Sequence, residues 1–245
     1  MTLFLSGSTG TLGKELKKVF TNCSSPTHTE LDITDRRAVD EFINKENIQE
    51  IIHTAALTSI RKCEVEKKLA WKVNVEGTRN LVESLRNREP SGLFIFISTA
   101  CVFDGKTGMY TEISIPNPVN FYSLTKLIGE SIVQTLPNHI IVRTNFVGKK
   151  KWPYEKAFTD RYGTYLFADD VAFGIKEIYD SSERGIIHLT GDKVLSMFDV
   201  ANITTPTIEP MTINEYSGPH LTINMTLDSL RWKKYKISKF ELVTN

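Results

Sequence analysis

Four short runs are apolar on successive positions: "TLFLS" (2–6), "EIIHTA" (50–55), "LFIFIS" (93–98) and "HIIVRT" (139–144). A strand with one wet face alternates apolar and polar residues, so unbroken β-branched and aromatic runs predict strands covered on both faces, as in a parallel sheet. Between them, apolar positions recur at helical spacing over 11–20, 36–44, 65–86 and 119–136, with Thr34 or Asp35 placed to cap the second helix. This alternation predicts an α/β fold: a doubly wound, mostly parallel, Rossmann-like sheet with right-handed crossovers and ligands beyond the carboxyl ends of its strands. After Gly148 the pattern breaks: "KKKWPYEKAFTDRYGTYLF" is polar and aromatic without clear period, and "TTPTIEPMTINEYSGPHLT" is rich in proline and threonine. The expected organisation is a Rossmann-like domain over 1–148. A small C-terminal lobe over 149–245 is expected above the sheet's carboxyl edge, with 165–191 returning to the core.

Composition narrows the function classes. Lys and Arg number 30 against 29 Asp and Glu, a net charge of +1, so no overall field draws the chain to nucleic acid or an anionic membrane. The basic, aromatic stretch "RWKKYKISKF" (231–240) is too short to change that expectation. Three scattered cysteines, Cys23, Cys63 and Cys101, suit reduced thiols and a cytoplasmic setting better than a disulfide framework. The opening apolar run is too short for an export leader and no run is long enough to span a membrane, so Asn202-Ile203-Thr204 and Asn224-Met225-Thr226 read as chance glycosylation matches. Five histidines lie without metal-ligand spacing, so no metal is expected, and His53, His139 and His188 in strand-like runs read as satisfied core or strand-end residues.

Candidate chemistry begins with "SGSTGTLGKEL", which spaces Gly7, Gly10 and Gly13 as G-x-x-G-x-x-G directly after the first strand. Glycines there permit a tight turn, close approach of a pyrophosphate and close helix packing, and the helix N-terminus attracts the phosphates. Without a Walker lysine, a dinucleotide is favoured over ATP. In "FYSLTKLIGE" (121–130), Tyr122 and Lys126 stand at i and i+4 on one helix face. A nearby ammonium stabilises a phenolate, which makes the phenol a usable proton donor. Ser98 and Thr99, at the carboxyl end of a buried strand, offer hydroxyls to the same reacting oxygen.

These stretches carry a family resemblance. With "GSTGTLG", "LDITD" (31–35), "HTAALTSIRKCE" (53–64), "VNVEGTRNL" (73–81), "ISTACVFDG" (97–105), "YTEISIPNPVNFYSLTKLIGE" (110–130), "IVRTNFVG" (141–148) and "ADDVAFGI" in order, the chain resembles the extended short-chain dehydrogenase/reductases, and among them the dTDP-4-dehydrorhamnose reductases. The resemblance implies Thr99, Tyr122 and Lys126 as catalytic hydroxyl, proton donor, and a lysine that holds the nicotinamide ribose and lowers the phenol pKa. It implies Gly7, Gly10, Thr11, Leu12 and Gly13 around the pyrophosphate, Asp32 and Ile33 beside the adenine, and Ala55, Ala56 and Leu57 along the cofactor groove. Thr99, Ala100, Val102, Phe103, Tyr122, Asn145 and Phe146 would meet the substrate, a nucleotide-linked 4-keto-6-deoxy sugar bound partly by the C-terminal lobe. Asn74 would support the lysine through water, its alternative being a polar residue on a solvated helix face. Glu112 reads as structural support. Lys149 to Lys151 read as a solvated loop, or alternatively as contacts to a substrate diphosphate.

The chain departs from that family at three points. Ala100-Cys101 stand where the reductases carry an acid and a phenol, Ser123 replaces a glycine, and only 20 residues, 149–168, separate Gly148 from the Asp169-Asp170 pair. A nucleotide-sugar epimerase of the same superfamily, or a non-catalytic cofactor-binding regulatory subunit like the one serving methionine adenosyltransferase, are therefore the alternatives. Dehydratases want an acid pair beside the catalytic threonine, which Ala100-Cys101 lacks. In "NCSSPTHTE" (22–30) no acid or arginine is placed for the adenine ribose, while Ser24, Ser25, Thr27 and His28 suit a phosphate, so NADP(H) is preferred over NAD(H). The resemblance leaves a homodimer through paired long helices open, but no face for it is marked.

Overall fold

The computed structural model describes residues 2–238; Met1 and residues 239–245, which include the last two positions of the basic stretch 231–240 and the end of the C-terminal lobe, lie outside the described residues. The chain runs through β1 (Thr2–Ser6), α1 (Thr11–Val19), β2 (Cys23–Ser24), α2 (Arg36–Lys45), β3 (Ile48–His53), α3 (Ile60–Val65), α4 (Lys67–Trp71), a π-helical segment (Lys72–Glu76) and α5 (Gly77–Arg88). It continues with β4 (Leu93–Thr99), a 3-10 turn (Ala100–Val102), α6 (Phe121–Val133), β5 (His139–Thr144), and four short strands: β6 (Phe146–Val147), β7 (Lys156–Phe158), β8 (Tyr162–Gly163) and β9 (Leu166–Phe167). Then α7 (Ala168–Asp180) and β10 (Gly185–Leu189) complete a sheet ordered β10-β5-β4-β3-β1-β2, in which every pairing is parallel.

The unbroken apolar strands do cover both faces. Along β4, Leu93, Ile95 and Ile97 pack with Leu12, Leu16 and Ile175 of α1 and α7, while Phe94 and Phe96 face Val39, Ile43, Leu81 and Leu85 of α2 and α5. This is the two-residue period of a strand read against two helical layers. The order reverses at β1, whose neighbours are β3 and β2, and that switch point opens a crevice at the strands' carboxyl ends.

Helix boundaries differ from the sequence reading in one important place. The helix expected over 65–86 is divided: α3 ends at an exposed Val65, Glu66 leaves the helical region (φ −108°, ψ 55°), and the run from Lys67 to Arg88 passes through the π turn. A π turn inserts a residue and rotates the helix register, and here Asn74 within it is buried. Of the two caps expected for α2, Asp35 serves, accepting from the Ala38 N–H at 3.1 Å.

The C-terminal part adds β11 (Leu195–Ser196), α8 (Met197–Thr204), β12 (Glu209–Met211) and β13 (Asn224–Met225), which pair as β11-β8-β13 and β12-β7, while β6 pairs β9. Glu112 ties this part to the sheet, accepting from His188 N (3.0 Å), Ser229 Oγ (2.6 Å) and Leu230 N (3.0 Å). Of the four basic residues at 231–238, three form ion pairs: Arg231 with Glu183, Lys233 with Glu177 and Lys234 with Asp228. Among the described residues no helix is long and apolar enough to cross a membrane.

Candidate active site

A cleft of about 870 Å³ runs across the switch point. One wall is the glycine turn. Gly7 has φ +72°, and a Cβ there would lie 2.5 Å from Thr54 Oγ1 and 2.6 Å from Ala55 N on the β3 side. At Gly13 a Cβ would lie 2.1 Å from Gly7 O, so any side chain would force the turn apart. Gly10 caps α1 with no side chain to occupy the first helical N–H groups, which therefore remain available to an anion. Gly7, Gly10, Thr11, Leu12, Gly13, Asp32, Ile33, Ala55, Ala56 and Leu57 all line this cleft. A dinucleotide fits that donor set, because bare backbone N–H groups at a helix start are what a pyrophosphate requires.

At the other wall Ser98, Thr99, Tyr122, Lys126, Asn145 and Phe146 line the same cleft. Asn120 begins α6 by accepting from Ser123 N (3.0 Å), which sets Tyr122 in the first turn and Lys126 one turn on. Thr99 ends β4, accepts from Cys101 N at 3.1 Å, and shares a hydrogen bond with the Tyr122 phenol. Burial dominates both titratable groups. The phenol is pushed well above its ordinary value by burial, with Cys101 and Cys63 adding to the rise and the Thr99 bond opposing it. Lys126, 4% exposed with Nζ 3.9 Å above the centre of the Phe96 ring, is pulled down to about 7 by burial against the attraction of Glu130. The expected lowering of the phenol by the lysine is reversed, because desolvation dominates each group.

Three predicted substrate residues are elsewhere. Ala100, Val102 and Phe103 are fully buried behind the wall, because the 3-10 turn folds them into a core cluster with Tyr110, Val200 and Leu227. Phe103 stacks on Tyr110 at 4.3 Å between ring centres. Asn74 is not on a solvated face: its amide accepts from Leu57 N (2.7 Å) and donates to Leu57 O (3.0 Å) and Thr125 Oγ1 (3.0 Å), tying the segment after β3 to α6. His53 is held between Ser6 Oγ (2.6 Å) and Thr78 Oγ1 (2.9 Å), and burial, then the Lys126 charge, lower its pKa to about 3. Lys149 pairs with Asp169 at 2.5 Å across the loop. Thr144, Trp152, Tyr154, Arg161, Tyr165, Met197 and Met225 also line the cleft, and sequence reasoning did not assign them to the site. They lie in the aperiodic C-terminal part or, for Thr144, in a strand read only as core.

A parallel doubly wound sheet with a glycine turn at its switch point, faced by Thr99, Tyr122 and Lys126, defines a nucleotide-binding protein of the short-chain dehydrogenase/reductase class. Within that class the chain belongs to the RmlD substrate binding domain family, whose model matches residues 1–162. It is 30% identical over 226 residues, covering 81% of this chain and 76% of the relative, to a dTDP-4-dehydrorhamnose reductase of Aggregatibacter actinomycetemcomitans. It is also 26% identical over 277 residues, 96% of this chain and 82% of the relative, to the methionine adenosyltransferase 2 subunit beta of Xenopus laevis. A crystal structure of a dTDP-4-dehydrorhamnose reductase from Clostridium acetobutylicum superposes with TM-score 0.85 at 28% identity, over 93% of this chain and 90% of that one.

Proposed function

We propose that the protein is an NAD(P)H-dependent oxidoreductase that reduces the ketone of a nucleotide-linked 4-keto-6-deoxy sugar. The observation that carries this reading is the meeting, in one cleft, of the glycine turn with the hydroxyls of Thr99 and Tyr122 and the amine of Lys126. The bound reduced nicotinamide supplies a hydride to the carbonyl carbon. Tyr122, kept protonated by burial at neutral pH, donates its proton to the oxygen as negative charge develops there. Thr99 directs its hydroxyl to the same oxygen and polarises the carbonyl. Lys126 holds the nicotinamide ribose and stabilises the phenolate left on Tyr122. Gly7, Gly10, Thr11, Leu12 and Gly13 receive the pyrophosphate, Asp32 and Ile33 the adenine end, and Ala55, Ala56 and Leu57 the middle of the dinucleotide. Asn145 and Phe146 meet the sugar, and the part of the chain after Gly148 that closes over the cleft forms the substrate lobe.

NADP(H) is preferred to NAD(H) in this reading. Pro26 and His28 line the cleft beyond β2, whereas Glu30 does not line it and its carboxylate turns to Thr27 N (2.7 Å) and Thr27 Oγ1 (2.8 Å).

The test is absorbance-monitored oxidation of NADPH and NADH with dTDP-4-keto-6-deoxyglucose and its epimers generated in place. Tyr122→Phe is expected to lower kcat by about 10²–10⁴ while leaving NADPH affinity within about twofold. Turnover that survives the substitution sinks the assigned chemistry. Tight NADPH binding with no oxidation of any of these sugars favours the regulatory reading, which the resemblance to the methionine adenosyltransferase subunit supports.

A further inference from the structure

Glu130 is the one buried acidic side chain among the described residues, 1% exposed, and it stands one helical turn after Lys126 on α6. Its Oε1 accepts from Ser98 Oγ and from Arg143 Nε at 3.0 Å, and its Oε2 accepts from Arg143 Nη2 at 2.7 Å. Ser98 and Arg143 are register partners on β4 and β5, and the next pair in register is Thr99 with Thr144. One carboxylate therefore fastens the carboxyl ends of two strands to the helix that carries Tyr122 and Lys126. Any slip at that junction would move the Thr99 hydroxyl relative to the phenol it bonds.

The same carboxylate meets an electrostatic need. Burial pulls the proton off Lys126, and the attraction of Glu130, at i and i+4 on one helix, opposes that loss. The groups around the lysine supply no rival anion. Tyr122 on α6 is kept protonated by burial, His53 on β3 is neutral with a pKa of about 3, and Cys63 on α3 is raised to about 11, with Cys101 beside the phenol. Behind Glu130, His188 on β10 is register-paired with Arg143 and is held below its ordinary value by burial. Glu130 is thus the charge that offsets desolvation of the ammonium.

We propose that Glu130 is a positioning residue of the reacting wall: it holds Thr99 against Tyr122 through Ser98 and Arg143, and its negative charge keeps a proton on Lys126. The inference rests on the reductase reading for its effect on turnover, and on the geometry alone for its effect on Lys126. The two duties separate by chemistry. The clamp on Ser98 and Arg143 depends on the reach of the side chain, because hydrogen bonds weaken steeply with distance and angle. Attraction across one helical turn depends chiefly on charge, because it falls only slowly with separation.

The test is a titration of Lys126 in the full chain, read by NMR from isotope-labelled lysine side chains and assigned with Lys126→Met. In Glu130→Gln the midpoint is expected to fall by about one pH unit or more. Glu130→Asp keeps the charge and shortens the reach, so it is expected to hold the midpoint within about half a pH unit while losing stability to urea. Where Glu130→Gln does not fold, Glu130→Gln/Arg143→Met carries the same expectation, because the charge that acts on Lys126 is that of Glu130. An unchanged midpoint in the glutamine variants overturns the inference. So does an equal fall in Glu130→Gln and Glu130→Asp, which a merely structural role would give. In NADPH oxidation with dTDP-4-keto-6-deoxyglucose, the alkaline limb of kcat/KM is expected to move to lower pH by the same amount, since a lysine that loses its proton sooner leaves the phenolate unsupported. Because the titration is read without turnover, a shifted midpoint in a chain that reduces no sugar refutes the reductase reading alone.

Discussion

Lys126 gives the site a pH signature that can be read in stability. In an unfolded chain its amine titrates near the ordinary 10.5, whereas burial beneath α6 and over the Phe96 ring brings it down to about 7. Between those values the unfolded chain holds a proton that the folded chain has released, so raising the pH favours the folded state. Below about 7 both states are protonated and the contribution is constant. Each unit of that window is worth up to about 1.4 kcal/mol, so the gain from pH 7 to pH 10 has a ceiling of about 4 kcal/mol. Lys126→Met keeps the apolar stem and removes the titration. Urea unfolding of both proteins at pH 7, 8, 9 and 10 is therefore expected to show the wild type gaining on the variant by about 2–4 kcal/mol across the series. Cys63, raised to about 11 by burial, titrates in part of the same window with the opposite sign, but it is present in both proteins and cancels in the difference. A difference that stays flat with pH, or that shrinks, refutes the account of Lys126 as a desolvated amine.

Two other perturbations test the frame around the site. Glu130→Gln removes the carboxylate partner of the equally buried Arg143 and is expected to cost about 3–5 kcal/mol in urea unfolding, with Glu130→Gln/Arg143→Met recovering most of the loss. Gly13→Ala places a methyl 2.1 Å from Gly7 O, so the turn must open; NADPH affinity measured by fluorescence is expected to fall by at least about tenfold, and an unchanged affinity would show that the pyrophosphate does not use this turn.

How much of this was legible in the chain follows from what each element needs. The parallel core could be read because β4 must satisfy two helical layers at once, which leaves no polar position from Leu93 to Ile97 to disguise it. The glycine turn could be read because Gly7 takes φ +72° and Gly13 lies too close to the Gly7 carbonyl for a Cβ, and both requirements belong to the turn itself. Asn74 could not be settled, since a polar residue in mid-helix looks the same whether it faces water or, turned by a π segment, caps the Leu57 backbone. Ala100, Val102 and Phe103 differ from the expectation for a related reason. The resemblance places Ala100, Val102 and Phe103 at the substrate, but the 3-10 turn that follows Thr99 packs all three into a core cluster with Tyr110, Val200 and Leu227.

The same reasoning links the family departure at Ala100-Cys101 to the arginine that pattern analysis passed over. The acid and phenol that the related reductases carry there would bring polar groups to a region that in this chain is filled by a thiol and two thioethers. Cys101 Sγ lies 3.3 Å from Met225 Sδ, and Met225 Sδ lies 3.2 Å from Arg161 Nη2, so the wall beside Thr99 meets Arg161 through sulfur.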